Sequence, residues 1–217
     1  MNRQRSLFFI ICFFVFLPLA SLAVDVEGIV AELQTKYETV ESLAADFTQE
    51  VFSKSAKKPF TSTGKVFFKK PGKMRWQYAG ENNDELISDG KTVWFFQSDL
   101  NQVMQRKVDS SMSGISTDFL SGVGNLNRDF NVRLAPDKLD KSDAYRLELT
   151  PKQGQPNVKR IFITLDRKSG IIVKTSVEDP LGTVTDVSFR NIRLNVFVKD
   201  LFFEFVAPKG ASIIKQK

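Results

Sequence analysis

The residues that most often carry enzyme chemistry are scarce in this sequence. It contains no histidine, and its single cysteine, Cys12, lies in an apolar N-terminal run. Zinc sites made of Cys and His, thiol nucleophiles and Ser-His-Asp triads all require these residues. Composition therefore excludes those classes of site and leaves only paired carboxylates, or a serine with a lysine, as possible chemistry.

Neighbouring carboxylates are the remaining candidates for acid and base catalysis or for metal binding. They occur as Asp84 with Glu85, Asp137 with Asp140, and Glu178 with Asp179. Each group lies in a polar, turn-like stretch, where solvated surface charge is the commonest explanation. No spacing matches a paired acid and base or a metal cage. We therefore expect no catalytic residue, no metal and no cofactor.

Aromatic residues indicate binding rather than catalysis. Phenylalanine occurs in adjacent pairs at Phe67-Phe68, Phe95-Phe96 and Phe202-Phe203. Neighbours in a strand point to opposite faces, so each pair puts one ring on either side of a sheet. A sheet that is apolar on both faces is compatible with a hydrophobic ligand and equally with ordinary packing.

The first 23 residues have the three parts of a secretory signal peptide. Arg3 and Arg5 precede an apolar run from Leu7 to Leu19, and Ser21-Leu22-Ala23 offers small residues to a signal peptidase. The run is shorter than the ~20 residues that span a bilayer. We expect cleavage after Ala23, which leaves residues 24–217 as one exported domain without a cysteine.

The charge of the chain limits its partners. The net charge is +6, and loss of Arg3 and Arg5 with the signal peptide lowers it to +4. Acidic and basic residues are mixed and no basic arm is present, so we expect no nucleic acid. A weak preference for anionic membrane surfaces or acidic partners is the most that this charge supports.

The hydrophobic pattern predicts one good helix followed by many strands. An apolar stripe of helical spacing runs from Val26 to Val40. After it the period changes to two, with Asp89-Gly90 as a strong hairpin signal. The strands are predicted at Phe60 to Lys70, Lys73 to Tyr78, Glu85 to Ser88, Lys91 to Gln97, Phe130 to Leu134, Tyr145 to Leu149, Ile161 to Leu165, Ile171 to Val177, Thr183 to Arg193 and Leu201 to Phe205.

These elements predict a mainly β fold: an incomplete, half-open antiparallel β-barrel of about eleven strands with a helical lid. A twisted sheet of this length tends to curl, and its concave face must be covered. The N-terminal helix and the Ser110 to Gly124 segment are the available covers. The glycines of that segment predict a weak and easily moved helix near Thr117 to Leu120.

Four segments, taken together, resemble the LolA family of outer-membrane lipoprotein carriers. The lysine-rich strand end, Pro-Gly turn and tryptophan-containing strand at Phe67 to Tyr78 are the most distinctive. The other three agree in order and spacing, and the resemblance covers nearly the whole exported chain. They are Leu43 to Gln49 (LAADFTQ), Ile87 to Phe96 (ISDGKTVWFF) and Phe205 to Gly210 (FVAPKG).

The resemblance implies a function. Members of the family are periplasmic chaperones that accept triacylated lipoproteins from an ATP-driven (ABC) exporter of the inner membrane. They carry the acyl chains in a hydrophobic cavity between half-barrel and lid, and pass them to an acceptor lipoprotein of the outer membrane. We expect the same of this chain, as a monomer.

The resemblance also suggests which residues bind the lipid or control the lid. Lys70 stands where the family commonly has an arginine linked to lid closure, and Met74 where some members have an aromatic residue important for handing cargo onward. The ordinary explanation of Lys70 is a solvated lysine at a strand end, and that of Met74 is packing in the core. The full predicted set is Phe47, Phe68, Lys70, Met74, Trp76, Phe119 and Leu120.

Two other functions stay open on the sequence. A lipid- or lipoprotein-sensing regulatory domain is known on related half-barrels, although such sensors usually carry an additional domain. An enzyme that acts on acyl or sugar substrates through two carboxylates is the other. Mass spectrometry of material bound to the purified protein distinguishes these functions from lipoprotein transfer.

Overall fold

The computed structural model describes residues 25–80, 83–108, 125–136 and 143–216. The predicted signal peptide and the Ser110 to Gly124 segment, with Phe119 and Leu120, lie outside these ranges, as do Asp137 and Asp140. Within the described ranges, no helix has both the length and the apolar character needed to cross a bilayer.

Helix α1, Val26–Thr39, forms where the apolar stripe predicts it. The Asp25 carboxylate accepts a hydrogen bond from the Gly28 backbone N–H at 3.0 Å. This cap satisfies one of the N–H groups that a helix leaves free in its first turn. The stripe is buried against the sheet through Val30, Leu33 and Tyr37.

A second helix, α2, spans Leu126–Asp129 and was not predicted. Four residues are too few to show helical periodicity, so the capping residue Asn125 is the signal that the sequence offers for this helix. The Asn125 side chain accepts a hydrogen bond from the Arg128 N–H at 2.8 Å. The Leu126 N–H donates to the side-chain oxygen of Gln34 at 3.3 Å, which joins α2 to α1.

Across the part of the chain that the structure describes, the strands form one open sheet of twelve members in the order β12-β6-β5-β4-β3-β2-β1-β11-β10-β9-β8-β7. Neighbours are antiparallel, except that β12 runs parallel to β6. The mainly β, half-open fold is thus confirmed. The strands are β1 Ser42–Phe52, β2 Phe60–Lys69, β3 Lys73–Ala79, β4 Glu85–Asp89, β5 Thr92–Gln97, β6 Gln102–Lys107, β7 Phe130–Leu134, β8 Ala144–Pro151, β9 Arg160–Asp166, β10 Ile172–Glu178, β11 Val184–Leu194 and β12 Ser212–Lys215.

The Asp89-Gly90 signal marks a real hairpin between β4 and β5. The Asp89 carboxylate accepts from the backbone N–H groups of Lys91 at 2.8 Å and Thr92 at 2.7 Å. Gly90 takes a φ of 91°, which side chains rarely tolerate. The turn therefore needs both residues in this order.

Helix α1 packs on one side of the sheet, which we call the inner face. It contacts β7, and the Tyr37 hydroxyl accepts from the Ile172 N–H at the start of β10. The described helices thus lie over the β7–β10 half. The buried core of this face includes Phe47, Val66, Phe68 and Trp76 from β1–β3, and Leu147, Leu149, Ile161 and Ile163 from β8 and β9.

The predicted strand at Leu201 to Phe205 is wrong. Asp200–Phe203 forms a single 3-10 turn within a segment, residues 195–211, that we call the C-terminal arm. The turn allows adjacent rings to serve different contacts: Phe202 packs edge-on against Phe67 at 4.9 Å between ring centres, while Phe203 is fully buried. A strand would send these rings to opposite faces.

Charges hold the C-terminal arm on the outer face of the sheet. The Asp200 carboxylate pairs with the ammonium groups of Lys69 at 2.6 Å and Lys73 at 2.9 Å. Hydrogen bonds from these lysines lower the pKa of Asp200 to about 2. Arg75 adds a hydrogen bond to the Phe202 carbonyl at 2.8 Å. The lysine-rich strand end therefore has a structural role in seating the arm.

Candidate binding face

An aromatic cluster occupies the inner face where β1, β2, β3 and β11 lie side by side. The Phe47 ring stands edge-on to Trp76 at 4.8 Å and to Tyr78 at 5.3 Å between ring centres. Trp76 also meets Phe68 at 5.9 Å and Phe189 at 6.4 Å. Such edge-to-face contacts stabilise the cluster, and we call these rings the aromatic floor of the inner face.

Gly64 makes room for this cluster. A Cβ atom at Gly64 would lie 2.0 Å from the Gln77 carbonyl oxygen and 2.8 Å from the Phe47 ring. Only glycine fits, which is the usual meaning of a glycine inside a strand. Gly64 and Phe189 are not among the residues predicted from the sequence, although the lone glycine in β2 was a readable signal.

A row of apolar side chains crosses the inner face from the cluster towards β6. In strand register, Trp76 pairs with Leu86, Leu86 with Phe95, and Phe95 with Met104. Trp76 is buried, whereas Leu86, Phe95 and Met104 are half-buried. This half of the face, β3 to β6, therefore offers partly exposed apolar surface beside the half on which α1 lies.

Met74 lies at the border of the same surface. It is half-buried, packs against the buried core, and pairs in register with Phe68 on β2 and Ser88 on β4. Its strand neighbours Lys73 and Arg75 point to the outer face, where they meet the C-terminal arm. Met74 therefore shares a face with Trp76 and Tyr78, as strand alternation predicts.

Lys70 joins the turn between β2 and β3 to the end of helix α1. Its ammonium donates to the backbone carbonyls of Tyr37 at 2.7 Å and Glu38 at 2.9 Å. The last four carbonyls of a helix have no partner within the helix, and a cation there also interacts favourably with the helix dipole. The Lys70 side chain thus ties the C-terminal end of α1 to the sheet.

The predicted site residues fall into three groups. Phe47, Phe68 and Trp76 contact one another, and Met74 packs at their edge. Lys70 is separate from them, at the end of α1. Phe119 and Leu120 lie outside the described residues.

Tyr37 fixes the same end of α1 from inside the core. Burial raises the pKa of Tyr37 to about 12, and the hydrogen bond from the Ile172 N–H offsets this only in part. The hydroxyl therefore stays neutral and accepts from Ile172 N at 3.1 Å. The helix end is held both by a buried phenol and by the Lys70 ammonium.

Replacing Tyr37 with phenylalanine is expected to lower the free energy of unfolding by about 1–3 kcal/mol, because the Ile172 N–H would be left buried without a partner. A raised pKa contributes stability that is present below the unfolded value of 10.0 and lost as pH rises towards 12. The difference between the two proteins in urea unfolding should therefore shrink over that window. Tyr78→Phe is the matched control, since among the described residues its hydroxyl makes a longer contact, 3.4 Å to Gln49. An equal loss in both variants would contradict the role assigned to Tyr37.

Comparison with known proteins places this architecture in a family. Residues 38–206 match the family described as "Outer membrane lipoprotein carrier protein LolA". The chain belongs to the LolA family. The outer-membrane lipoprotein carrier protein of Cupriavidus pinatubonensis is 32% identical over 85% of this chain and 86% of its own length. That of Nitrosospira multiformis is 28% identical over 94% of this chain and 97% of its own.

A solved structure shows the same fold. The crystal structure of an uncharacterized conserved protein from Thermus thermophilus covers 88% of this chain and 100% of its own, with a TM-score of 0.54. The two sequences are 11% identical, so the likeness concerns the fold alone. This member of the LolA family thus has an open sheet with a lysine-tethered helix on its inner face.

Proposed function

We propose that this protein carries the acyl chains of lipoproteins on the inner face of β3 to β6. The observation that carries the proposal is the register-matched row from Trp76 through Leu86 and Phe95 to Met104, which leads from a buried aromatic floor to half-buried apolar side chains. Membership of a family of lipoprotein carriers supports the same assignment. The function is non-enzymatic.

The physical need for such a surface is large. Burial of each methylene group is worth roughly 0.8 kcal/mol, so a long acyl chain in water is unfavourable by ten or so kcal/mol. A carrier must therefore cover the chain without holding it irreversibly. Half-buried side chains such as Leu86 and Met104 suit this requirement, because they gain burial when cargo binds.

Membership of the family suggests a route for the cargo. We propose that the protein is periplasmic, receives lipoproteins from an ATP-driven exporter of the inner membrane and delivers them to an acceptor lipoprotein of the outer membrane. It acts as a monomer of one domain, residues 24–217. Phe47, Phe68, Met74 and Trp76 form the floor and its border, Lys70 controls the helix, and Phe119 and Leu120 complete the lid.

Mass spectrometry of the purified protein tests the proposal directly. The protein is isolated from cells without detergent, and the bound material is released and identified. Intact acylated lipoprotein is the expected result. Free lipid alone would favour a lipid-sensing domain, and a hydrolysed product would favour an enzyme.

Cleavage of the signal peptide during export is a separate prediction. N-terminal sequencing of the protein recovered from the periplasmic fraction should begin at Val24, because Ser21 and Ala23 are the small residues that a signal peptidase reads. A protein that keeps its apolar run and sediments with membranes would contradict this prediction. Failure of this export prediction would not test whether the inner face binds cargo.

A further inference from the structure

The hairpin between β1 and β2 extends past its neighbour on one side. Strand β3 pairs with β2 only from Thr63 onward, opposite Ala79, whereas β1 and β2 pair as far as Val51 with Phe60. The connecting loop turns through a hydrogen bond from the Ala56 N–H to the Ser53 carbonyl at 3.1 Å. We call residues 52–60 the hairpin tip. It stands at the end of the sheet opposite Lys70.

The hairpin tip exposes aromatic side chains. Phe60 is 71% exposed and Phe52 is 40% exposed. Leu181, in the turn before β11, is 81% exposed. The two turns touch, since the Lys54 side chain lies so close to Gly182 that a Cβ there would be 2.6 Å from its Cε. Three large apolar side chains therefore stand exposed on adjoining turns.

The same tip is basic. Lys54, Lys57 and Lys58 are exposed, and the segment from Phe52 to Phe60 contains no acidic residue. None of the three lysines forms an ion pair with another described residue. In the adjoining turn, the Asp179 carboxylate accepts a hydrogen bond from the Thr183 N–H at 2.8 Å and so stabilises that turn. The tip thus combines three available cations with exposed aromatic surface.

We propose that the hairpin tip docks on the surface of a bilayer that contains anionic phospholipid. Lysines near such a surface each strengthen binding, and aromatic rings settle at the level of the headgroups. An acidic protein surface would complement the lysines but not the apolar side chains on adjoining turns. The headgroup region accepts both. This site lies beyond the aromatic cluster of the inner face, and the inference does not depend on the cargo assignment.

Vesicle sedimentation with the empty exported protein tests this inference. The N-terminus is first checked by mass, so that a retained apolar run from Leu7 to Leu19 cannot account for binding. Binding is expected to vesicles of phosphatidylglycerol with phosphatidylethanolamine, to weaken at high salt, and to be absent with phosphatidylcholine. Reversal of Lys57 and Lys58 to glutamate should lower partitioning by at least about fivefold for each lysine, because loss of the cation alone accounts for that factor and the new carboxylate is repelled. Phe60→Ser should lower it as well.

Matched controls lie elsewhere on the molecule. Phe197 is 89% exposed on the C-terminal arm, and Lys209 and Lys215 are exposed near the C-terminus. Phe197→Ser, and the double reversal Lys209→Glu with Lys215→Glu, should bind vesicles as the wild type does. Equal losses in tip and control variants would assign the binding to overall charge and overturn the inference. So would wild-type binding to phosphatidylcholine.

A photo-crosslinker at position 60 separates the two kinds of partner in cells. Crosslinks to phospholipid support the inference. Crosslinks to a single protein, together with wild-type vesicle binding by the tip variants, would overturn it. Since the vesicle assay uses empty protein, its outcome is independent of whether lipoprotein is the cargo.

Discussion

Replacement of Met74 with glutamate is expected to reduce lipoprotein transfer by about tenfold or more while the protein stays folded. Met74 is half-buried on the inner face, so a carboxylate there can remain hydrated in the empty protein. When an acyl chain covers the position, that carboxylate must lose its water without gaining a partner, which is costly. The substitution therefore acts against the loaded state rather than against the fold.

Met74→Leu is the control for shape. It keeps an apolar side chain of similar volume, and such exchanges are usually well tolerated. Transfer from loaded carrier to an acceptor is measured in a reconstituted assay, alongside urea unfolding. The leucine variant should transfer as the wild type does. If the glutamate variant also transfers normally, Met74 is simply part of the packing around Phe68 and does not face cargo.

A contrasting substitution on the same strand separates the two faces. Arg75, beside Met74, bonds the Phe202 carbonyl at 2.8 Å and pairs with Glu85 at 2.6 Å. Its removal would disturb the seat of the C-terminal arm and leave the inner face unchanged. Loss of transfer confined to Met74→Glu would thus locate the effect on the inner side of β3.

Alternation in the sequence was sufficient to predict the inner face of β3. Met74, Trp76 and Tyr78 recur at every second position, and each lies on the side of the sheet that the pattern implies. The same holds for Leu147 and Leu149 on β8. These strands were predictable because one face is buried and the other is polar, which fixes the register.

The C-terminal arm could not be predicted in the same way. Asp200 takes its 3-10 turn beside Lys69 and Lys73, which are far away in sequence. Strand β12 was also missed, because its residues are all exposed and show no buried face. Both elements are determined by what they pack against rather than by their own pattern.

The candidate site could be predicted only in part, because some of its contacts depend on how distant strands pair. Phe47, Phe68 and Trp76 came from the family resemblance, and the structure brings their rings together. Phe189 was missed because its contact with Trp76 depends on the pairing of β1 with β11, which no local signal shows. Their use in binding cargo remains a prediction.

Replacement of Lys70 with leucine is expected to leave cargo uptake intact and to slow its release. The Lys70 ammonium donates hydrogen bonds to the carbonyls of Tyr37 and Glu38 at 2.7 and 2.9 Å. Each hydrogen bond from a charged donor contributes roughly 1.5–3 kcal/mol to the stability of the conformation that contains it, and less where solvent reaches the bond. Their loss weakens the closed, empty state. The loaded state is then favoured by comparison, and release should slow by about tenfold.

Arginine at the same position should act in the opposite direction. Its planar guanidinium can place N–H donors from different nitrogens on the two carbonyls in a fixed geometry, whereas the lysine ammonium donates both N–H groups from a single nitrogen on a flexible stem. Lys70→Arg is therefore expected to tighten the closed state and to speed release. Hydrogen exchange of the amides near the end of α1, from Tyr37 to Thr39, should be faster than wild type in the leucine variant and slower in the arginine variant.

The Tyr37→Phe variant distinguishes a loose helix from a lost lysine. It weakens the same end of α1 through the buried bond to Ile172 but keeps the ammonium in place. If Lys70 acts by holding the helix down, both Tyr37→Phe and Lys70→Leu should speed exchange of the α1 amides and slow release. If Lys70→Leu and Lys70→Arg exchange and transfer like the wild type, the two hydrogen bonds do not control closure, and Lys70 is an ordinary strand-end lysine.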